Sequence, residues 1–175
     1  MSHLVVPVTA EDHHQGRLDA PLVLVEYGDF ECPFCGRMYP IIQRLQQALG
    51  DRLCVVYRHF PLVDMHPHAG AAALMSEAAA AAGKFWPMHD RLFEHQDALD
   101  DDDLARYAQD LGVPQDLVER AFGGAFARKV RADFAGGVRS GVNGTPALYL
   151  NGTRYDGEPD DVPLLETLEQ MSGKR

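Results

Sequence analysis

Two cysteines separated by two residues, Cys32-Pro33-Phe34-Cys35, form the group in this sequence with the clearest chemistry. On an α-helix, residues three apart have Cα atoms about 5 Å apart, which is within the range that a disulfide bond accepts. A pair at this spacing can open and close a disulfide without a backbone movement. The chain has three cysteines in all, too few for a framework of structural disulfides.

Cys32 lies where a strand pattern gives way to a helix pattern, so it is predicted at the N-terminus of a helix. Unpaired backbone N–H groups and the helix dipole favour negative charge there, and hence the thiolate, which is the attacking species. We therefore predict that Cys32 is the nucleophile. Cys35, one turn inside the helix, is placed to attack the mixed disulfide and resolve it.

The alternative use of such a pair is half of a zinc site, which needs two more ligands at a suitable spacing. The sequence has no second Cys-x-x-Cys. His66 and His68 flank Pro67 at a predicted helix start, and His89 and His95 are six residues apart, off a common helix face. We predict no metal site, and we expect the histidines to lie at the surface or in satisfied polar positions.

The elements that position the cysteine pair follow from the hydrophobic pattern. Residues 21–27 are apolar on both faces, which is typical of a central strand. Residues 33–49 have helix periodicity, and residues 53–58 resemble a second strand. Strand, helix and strand make a βαβ unit, so the two strands are predicted to be parallel.

The middle of the chain predicts an insertion of about four helices, one of them over residues 85–99. Strand signals return at 147–150 and 153–155, joined by Asn151-Gly152, a strong hairpin turn signal. A helix pattern closes the chain.

The order of these elements is α/β and resembles a thioredoxin fold with an inserted helical domain. We assign residues 12–62 and 141–175 to a discontinuous thioredoxin-fold domain, and residues 63–140 to the helical domain.

Three segments, Glu26 to Cys35, Arg58 to Leu62 and Gly141 to Pro146, are similar to the DsbA-like branch of the thioredoxin superfamily. The similarity extends over residues 12–170. It implies a thiol–disulfide oxidoreductase that exchanges disulfides with protein substrates. It also implies that Cys32 and Cys35 are the redox pair, with no separate cofactor, and that Thr145 and Pro146 form the loop that faces them.

Glu26 is an acid on an otherwise apolar strand. A carboxylate on a buried strand is costly unless it is used, and in the family a strand acid at this position relays the proton of the buried cysteine. We favour this role for Glu26. The alternative is that Glu26 faces a sheet edge or pairs with an arginine.

The expected substrate-binding residues are Pro33, Phe34, Thr145 and Pro146. The resemblance implies a cis Thr145–Pro146 bond, with the backbone of Thr145 free to pair with an extended substrate segment as an added strand. Phe34, together with Phe30, predicts an aromatic-lined apolar groove beside the cysteines.

The residues around Cys32 also predict its redox poise. The strongly oxidising member of the family has a histidine where this chain has Phe34, and Phe34 supplies neither charge nor a hydrogen bond to a thiolate. Asp29 and Glu31 place negative charge near Cys32, which disfavours the thiolate. We therefore predict a less oxidising protein.

Composition limits the other classes. The chain has 175 residues and a formal net charge of −10, which argues against a nucleic-acid partner. The local basic cluster, Arg128, Lys129 and Arg131, fits a solvated helix face. No stretch approaches the roughly 20 apolar residues of a membrane span. The first residues do not resemble a secretory signal, so we expect a cytoplasmic protein and, without a dimer pattern, a monomer.

The expected partners are protein thiols and disulfides, glutathione as a possible small substrate, and a redox partner that recycles the cysteine pair. Two alternatives stay open. One is a redox-inactive or regulatory thioredoxin-fold module that binds a partner. The other is a glutathione-dependent transferase or isomerase on the same fold. Cys54, in an apolar strand, is interpreted as an inert core thiol.

Overall fold

A computed structural model describes residues 2–173. Residue 1, and residues 174 and 175 of the predicted C-terminal segment, lie outside the described residues. The strands are β1 (His13–Gln15), β2 (Leu22–Gly28), β3 (Leu53–His59), β4 (Ala147–Leu150) and β5 (Thr153–Tyr155). The α-helices are α1 (Pro33–Leu49), α2 (Ala69–Ala81), α3 (Phe85–Glu94), α4 (Asp101–Asp110), α5 (Gln115–Phe122), α6 (Ala127–Arg139) and α7 (Asp161–Ser172).

The strands form one sheet in the order β1-β3-β2-β4-β5. β2 and β3 are parallel and are connected through α1, which confirms the predicted βαβ unit. α1 forms because its apolar residues recur at three- and four-residue spacings and are buried on one side. It ends at Gly50, whose φ of 51° is easily adopted by glycine.

The hairpin β4–β5 is also confirmed, and β4 pairs antiparallel with β2. Its turn has φ values of 47° at Asn151 and 82° at Gly152, the backbone that the Asn-Gly signal favours. β2 is therefore a central strand, and its two faces pack into separate buried clusters, with Leu22 and Leu24 in one and Val25 and Tyr27 in the other. This burial on both faces explains why its sequence is apolar except at Glu26.

Five helices separate β3 from β4, in agreement with the expected insertion of about four. One expectation about these elements is wrong. The helix predicted over residues 85–99 ends at Glu94. Asp100 accepts a hydrogen bond from the backbone N–H of Asp103 and begins α4, so the residues between these helices form a connection.

β1 is an element that the sequence did not predict. It is three residues long, polar and half-buried, and it pairs antiparallel with the edge of β3. A short edge strand of this composition has no apolar alternation to reveal it.

The buried residues fall into three clusters. One packs α1 and α7 on one face of the sheet, and a second contains Tyr27, Phe60 and Tyr149. The third joins the apolar sides of the inserted helices to Cys32 and Cys35. The cysteine pair thus lies where the inserted helices meet the sheet, while the division into separate domains stays a prediction.

Candidate active site

Cys32 is the N-cap residue of α1, and Pro33 is the first residue of that helix. Proline suits this position because its missing N–H has no partner in the first turn in any case. Cys32 is 3 % exposed and Cys35 is fully buried, and both are free thiols. The chain therefore places one cysteine at the helix N-terminus and the other one turn inside, as the spacing predicts.

The two cysteines have opposite acidities. A hydrogen bond from the Cys35 thiol, joined by bonds from Thr145 and from backbone N–H groups, lowers the pKa of Cys32 to about 5 in spite of its burial. Burial, then the bond to Cys32 and the charge of Glu26, raise the pKa of Cys35 well above 9.0. At neutral pH the pair is one thiolate and one thiol, which is the arrangement of a nucleophile and a resolving cysteine.

The loop before β4 faces Cys32. The Thr145–Pro146 peptide bond is cis, as the resemblance implies. The Cys32 Sγ lies 3.5 Å from the carbonyl oxygen of Thr145. The Thr145 Oγ1 is buried and has no other hydrogen-bond partner, so its O–H is available to the Cys32 thiolate.

A groove of about 480 Å³ runs beside this loop, lined by Phe34, Met38, Pro146 and Tyr155 among others. Phe34 is 58 % exposed, and the Arg37 guanidinium lies over its ring at 4.5 Å. The structure thus brings Pro146 and Phe34 together at one open apolar surface. A surface of this kind suits an extended polypeptide segment.

The predicted contribution of Phe30 to this groove is wrong. Phe30 is 1 % exposed and packs against Tyr57, with ring centroids 5.1 Å apart, and against Phe93. Since it follows β2 directly, its side chain turns under the sheet edge into the core of the inserted helices. Only Phe34 of the two remains at the surface.

Glu26 lies on β2 opposite Tyr57 of β3 and Leu148 of β4, and it is 3 % exposed. Its Oε1 has no hydrogen-bond partner. Burial, and then the negative charge of Cys32, raise the pKa of Glu26 to about 8. The two structural alternatives are excluded, because β2 is not an edge strand and no arginine within residues 2–173 forms an ion pair with Glu26.

A cavity of about 80 Å³ adjoins Glu26. Polar side chains of Gln15, Gln43, Gln46 and Asp90 line it together with the Glu26 carboxyl. A cavity with polar groups in its lining can hold a water molecule once its volume is about 15 Å³, so the cavity beside Glu26 has room for more than one water molecule. The buried carboxyl of Glu26 therefore adjoins a cavity whose lining is partly polar.

Asp29 and Glu31 were expected to disfavour the Cys32 thiolate through their negative charge, but the Asp29 carboxylate is bound by hydrogen-bond donors. Asp29 is 1 % exposed and accepts hydrogen bonds from the N–H groups of Glu31 and Leu62, and from His66 Nδ1 at 2.8 Å. Against the effect of burial, the bond to Asp29 raises the pKa of His66. The negative charge of Asp29 is thus compensated locally, and the pKa of Cys32 is lowered despite its acidic neighbours.

Gln96 is a residue of this site that the sequence did not reveal. Its side-chain amide donates to the backbone carbonyls of both Phe30 and Cys32, at 2.9 Å each. A Cβ on Gly36 would lie 2.1 Å from Gln96 Oε1, so a larger residue there would push the Gln96 side chain out of its present position. A lone glutamine between two helices gives no pattern from which this role could be predicted.

The expectation for the histidines is wrong at one position. His59 is 1 % exposed, and its Nδ1 is buried without a hydrogen-bond partner. The Nε2 atoms of His13 and His59 approach the same oxygen of Glu77, at 2.6 and 2.8 Å. Within residues 2–173 these three side chains are the one group of three or more His, Cys, Asp or Glu whose ligand atoms could hold a metal ion.

A parallel βαβ unit, an antiparallel hairpin and helices inserted between them define a thioredoxin fold of the DsbA-like form, with the cysteine pair at the start of its first long helix. The sequence profile of the family described as Thioredoxin matches residues 8–170. The chain belongs to this family.

Solved structures share this fold over almost the whole chain. BdbD from Bacillus subtilis is 24 % identical, and the match covers 98 % of both chains with a TM-score of 0.83. α-DsbA1 from Wolbachia pipientis is 18 % identical, with 98 % of this chain and 95 % of that chain covered and a TM-score of 0.81. These likenesses confirm the predicted fold class and the DsbA-like resemblance.

A curated relative carries a different name. The protein named Na(+)/H(+) antiporter NhaA 1 from Mycolicibacterium vanbaalenii is 44 % identical over 176 residues. The match covers 98 % of this chain and 28 % of that protein. The chain therefore spans little more than a quarter of the length of this relative.

None of the helices within residues 2–173 is both long enough and apolar enough to cross a bilayer.

Proposed function

We propose that this chain is a thiol–disulfide oxidoreductase that exchanges disulfides with protein substrates. The observation that carries the proposal is the contrast within one helical turn between Cys32, with a pKa lowered to about 5, and Cys35, with a pKa raised well above 9.0. Such a pair holds an attacking thiolate ready and keeps the second thiol protonated until it is needed.

In the reductive direction, the Cys32 thiolate attacks one sulfur of a substrate disulfide. A mixed disulfide forms, and the other substrate sulfur leaves as a thiolate. In the mixed disulfide Cys32 carries no charge, so it no longer raises the pKa of Glu26, and the carboxylate form of Glu26 becomes available. Cys35 passes its proton to this carboxylate and attacks the Cys32 sulfur, which releases the second substrate thiolate and leaves a Cys32–Cys35 disulfide. The substrate gains the two electrons that the pair loses, and the reverse sequence oxidises a substrate dithiol.

Glu26 suits this transfer because its pKa of about 8 lies near neutrality. A proton acceptor works best when its pKa is close to the working pH. The partly polar cavity beside Glu26 is proposed as the path by which the proton exchanges with solvent.

Substrate binding is assigned to Pro33, Phe34, Thr145 and Pro146. The carbonyl of Thr145 lies beside Cys32, and the groove at Phe34 and Pro146 is open and largely apolar. Backbone pairing with an extended segment would position a disulfide at Cys32 with little dependence on side chains.

The test is an equilibrium titration of the purified protein in glutathione buffers. Thiols are trapped by alkylation, and the mass of each cysteine-containing peptide is measured by mass spectrometry. We expect the Cys32–Cys35 peptide to pass reversibly between dithiol and disulfide. Cys54 is the internal control, because burial raises its pKa and it lies on a strand away from the pair. If no intramolecular disulfide forms under any buffer, the enzyme assignment is wrong and a partner-binding module takes its place.

The transport named in the antiporter relatives is not part of this proposal, because the chain matches 28 % of the first of those proteins. The chain is proposed to act as a redox module, recycled by a separate thiol or disulfide partner.

A further inference from the structure

Three elements meet at a second group of reactive side chains. His13 comes from the edge strand β1, His59 from the end of β3, and Glu77 from the middle of α2. The two imidazole Nε2 atoms and a carboxylate oxygen of Glu77 all lie within 4.8 Å of one another. We propose that His13, His59 and Glu77 bind a zinc ion at a site separate from the cysteine pair.

The donor set is compatible with zinc. Two imidazoles and one carboxylate are ligands that zinc accepts in tetrahedral sites with an open fourth position. Calcium and magnesium instead prefer oxygen ligands throughout.

The geometry requires only a small adjustment. Ligand atoms that are about 2.0–2.1 Å from one tetrahedral zinc ion lie about 3.3 Å apart. Glu77 Oε1 is 2.6 Å from His13 Nε2 and 2.8 Å from His59 Nε2. To reach this separation, Glu77 Oε1 would move about 0.7 Å away from His13 Nε2 and about 0.5 Å away from His59 Nε2. The two Nε2 atoms, which lie within 4.8 Å of each other, would settle at a similar spacing.

The surroundings hold the ligands in place. The His13 ring stacks on Phe85 with centroids 3.6 Å apart, and the backbone N–H of His59 donates to Asp133 at 3.1 Å. Two of the three ligands, His59 and Glu77, are buried, which fixes their rotamers by packing. A preformed set of ligands loses little conformational entropy when the metal binds.

The site also has an entrance. The His13 side chain is 15 % exposed, and a surface pocket of about 300 Å³ is lined by His13 and by Asp12, Phe85 and Trp86. This opening gives the ion a path inward and leaves room for a water molecule as the fourth ligand.

The test is Zn²⁺ binding by the full chain, made without a histidine tag and with Cys32 and Cys35 both changed to Ser, so that the redox pair cannot bind the ion. Cys54 remains as a buried thiol with a raised pKa. Calorimetry of this parent is expected to give one zinc ion per chain. His13→Ala and Glu77→Gln are expected to weaken binding by about 10-fold or more. His14→Ala is the matched control, because His14 is the next residue on β1 and its side chain bonds only to the Gly16 carbonyl.

Two results would overturn the proposal: no saturable binding by the parent, or equal affinity in the parent, His13→Ala and Glu77→Gln. A readout on the parent alone covers the case in which the variants fail to fold. Co²⁺ in place of Zn²⁺ is expected to give the strong visible absorption of a tetrahedral site with nitrogen and oxygen ligands. The pale spectrum of hydrated Co²⁺ would contradict the site. Since the parent lacks both redox cysteines, neither result depends on the disulfide-exchange function.

Discussion

Glu26 and Glu77 are two glutamates buried to a similar extent, with 3 % and 7 % of their surface exposed. At neutral pH Glu26 is mainly protonated and neutral, whereas Glu77 is ionised. Burial raises the pKa of both side chains. At Glu26 the nearest charge is the Cys32 thiolate, which raises the pKa further, to about 8. At Glu77 the hydrogen bonds from His13 and His59 outweigh burial and lower the pKa to about 2.

The comparison shows that partners, not depth, decide the charge of a buried acid. The region around Glu77 supplies two donors and holds a permanent anion that ties α2 to the sheet. The region around Glu26 supplies no donor to Oε1, so this carboxyl can gain or lose a proton near neutral pH. One region is suited to fixing structure, and the other to moving a proton.

Removing Glu77, the acid with two hydrogen-bond partners, should destabilise the fold strongly. Glu77→Ala leaves two imidazoles facing each other without an acceptor, and we expect it to lower the free energy of unfolding by about 3–5 kcal/mol. Glu77→Gln keeps an oxygen acceptor and should cost about 1–3 kcal/mol. Urea denaturation with a chelator present measures both changes. Equal stabilities of Glu77→Ala and the parent would show that the histidines gain nothing from this acid.

Glu26→Gln should raise the free energy of unfolding, whereas the Glu77 substitutions lower it. The folded pKa of Glu26 lies above its unfolded value of 4.5, so the unfolded chain ionises first as pH rises. The parent therefore loses stability between about pH 4.5 and 8, and the loss is complete above that range.

A glutamine does not titrate, so the variant should be as stable as the parent at pH 4 and more stable at pH 9, by about 4–5 kcal/mol. The difference between the two proteins reports the titration of Glu26 together with its coupling to Cys32. Denaturation of both proteins across this pH range measures it, and a difference that does not vary with pH would contradict the raised pKa.

The same substitution should slow exchange. If Glu26 accepts the proton of Cys35, Glu26→Gln should reduce the rate of mixed-disulfide resolution on the order of 100-fold, while attack by Cys32 stays fast. Stopped-flow measurement of the two steps separates them. Glu77→Gln is the matched control, since it alters a buried acid outside the cysteine pair and should leave both rates unchanged. Equal slowing by the two variants would indicate a general loss of packing.

The smallest effect is expected at an exposed position, where burial has no part. Phe34→His adds a side chain that can carry charge and hydrogen-bond near the thiolate. It should raise the reduction potential by about 10–30 mV, or roughly 0.5–1.4 kcal/mol. Equilibration with glutathione measures the shift, and Phe34→Leu is the neutral control. A potential lowered by histidine would refute the electrostatic basis for a less oxidising protein.

Much of the fold could be predicted from the sequence, because strand, helix and hairpin each have a local pattern. The helix from Pro33 to Leu49 and the Asn151-Gly152 turn depend on neighbours in the sequence, and both were placed correctly. The cysteine pair and the burial of Glu26 could be predicted for the same reason.

The residues that were missed act through distant contacts. Gln96 bonds to carbonyls 66 and 64 residues earlier, and His13 meets Glu77 64 residues later. A polar side chain carries no sign in its local sequence of which distant atom it will bind. Phe30 was misplaced for a related reason, since only the packing of the inserted helices turns it inward.

The Gln96 amide links the inserted helices to the segment that carries the cysteine pair by two hydrogen bonds. The two carbonyls that it binds belong to the segment that sets where α1 begins, and that beginning supplies the N–H groups around Cys32. A shift in the connection between α3 and α4 would therefore be transmitted to the thiolate through one side chain. The acidity of Cys32 can be tuned by changes in a part of the chain that never touches the sulfur.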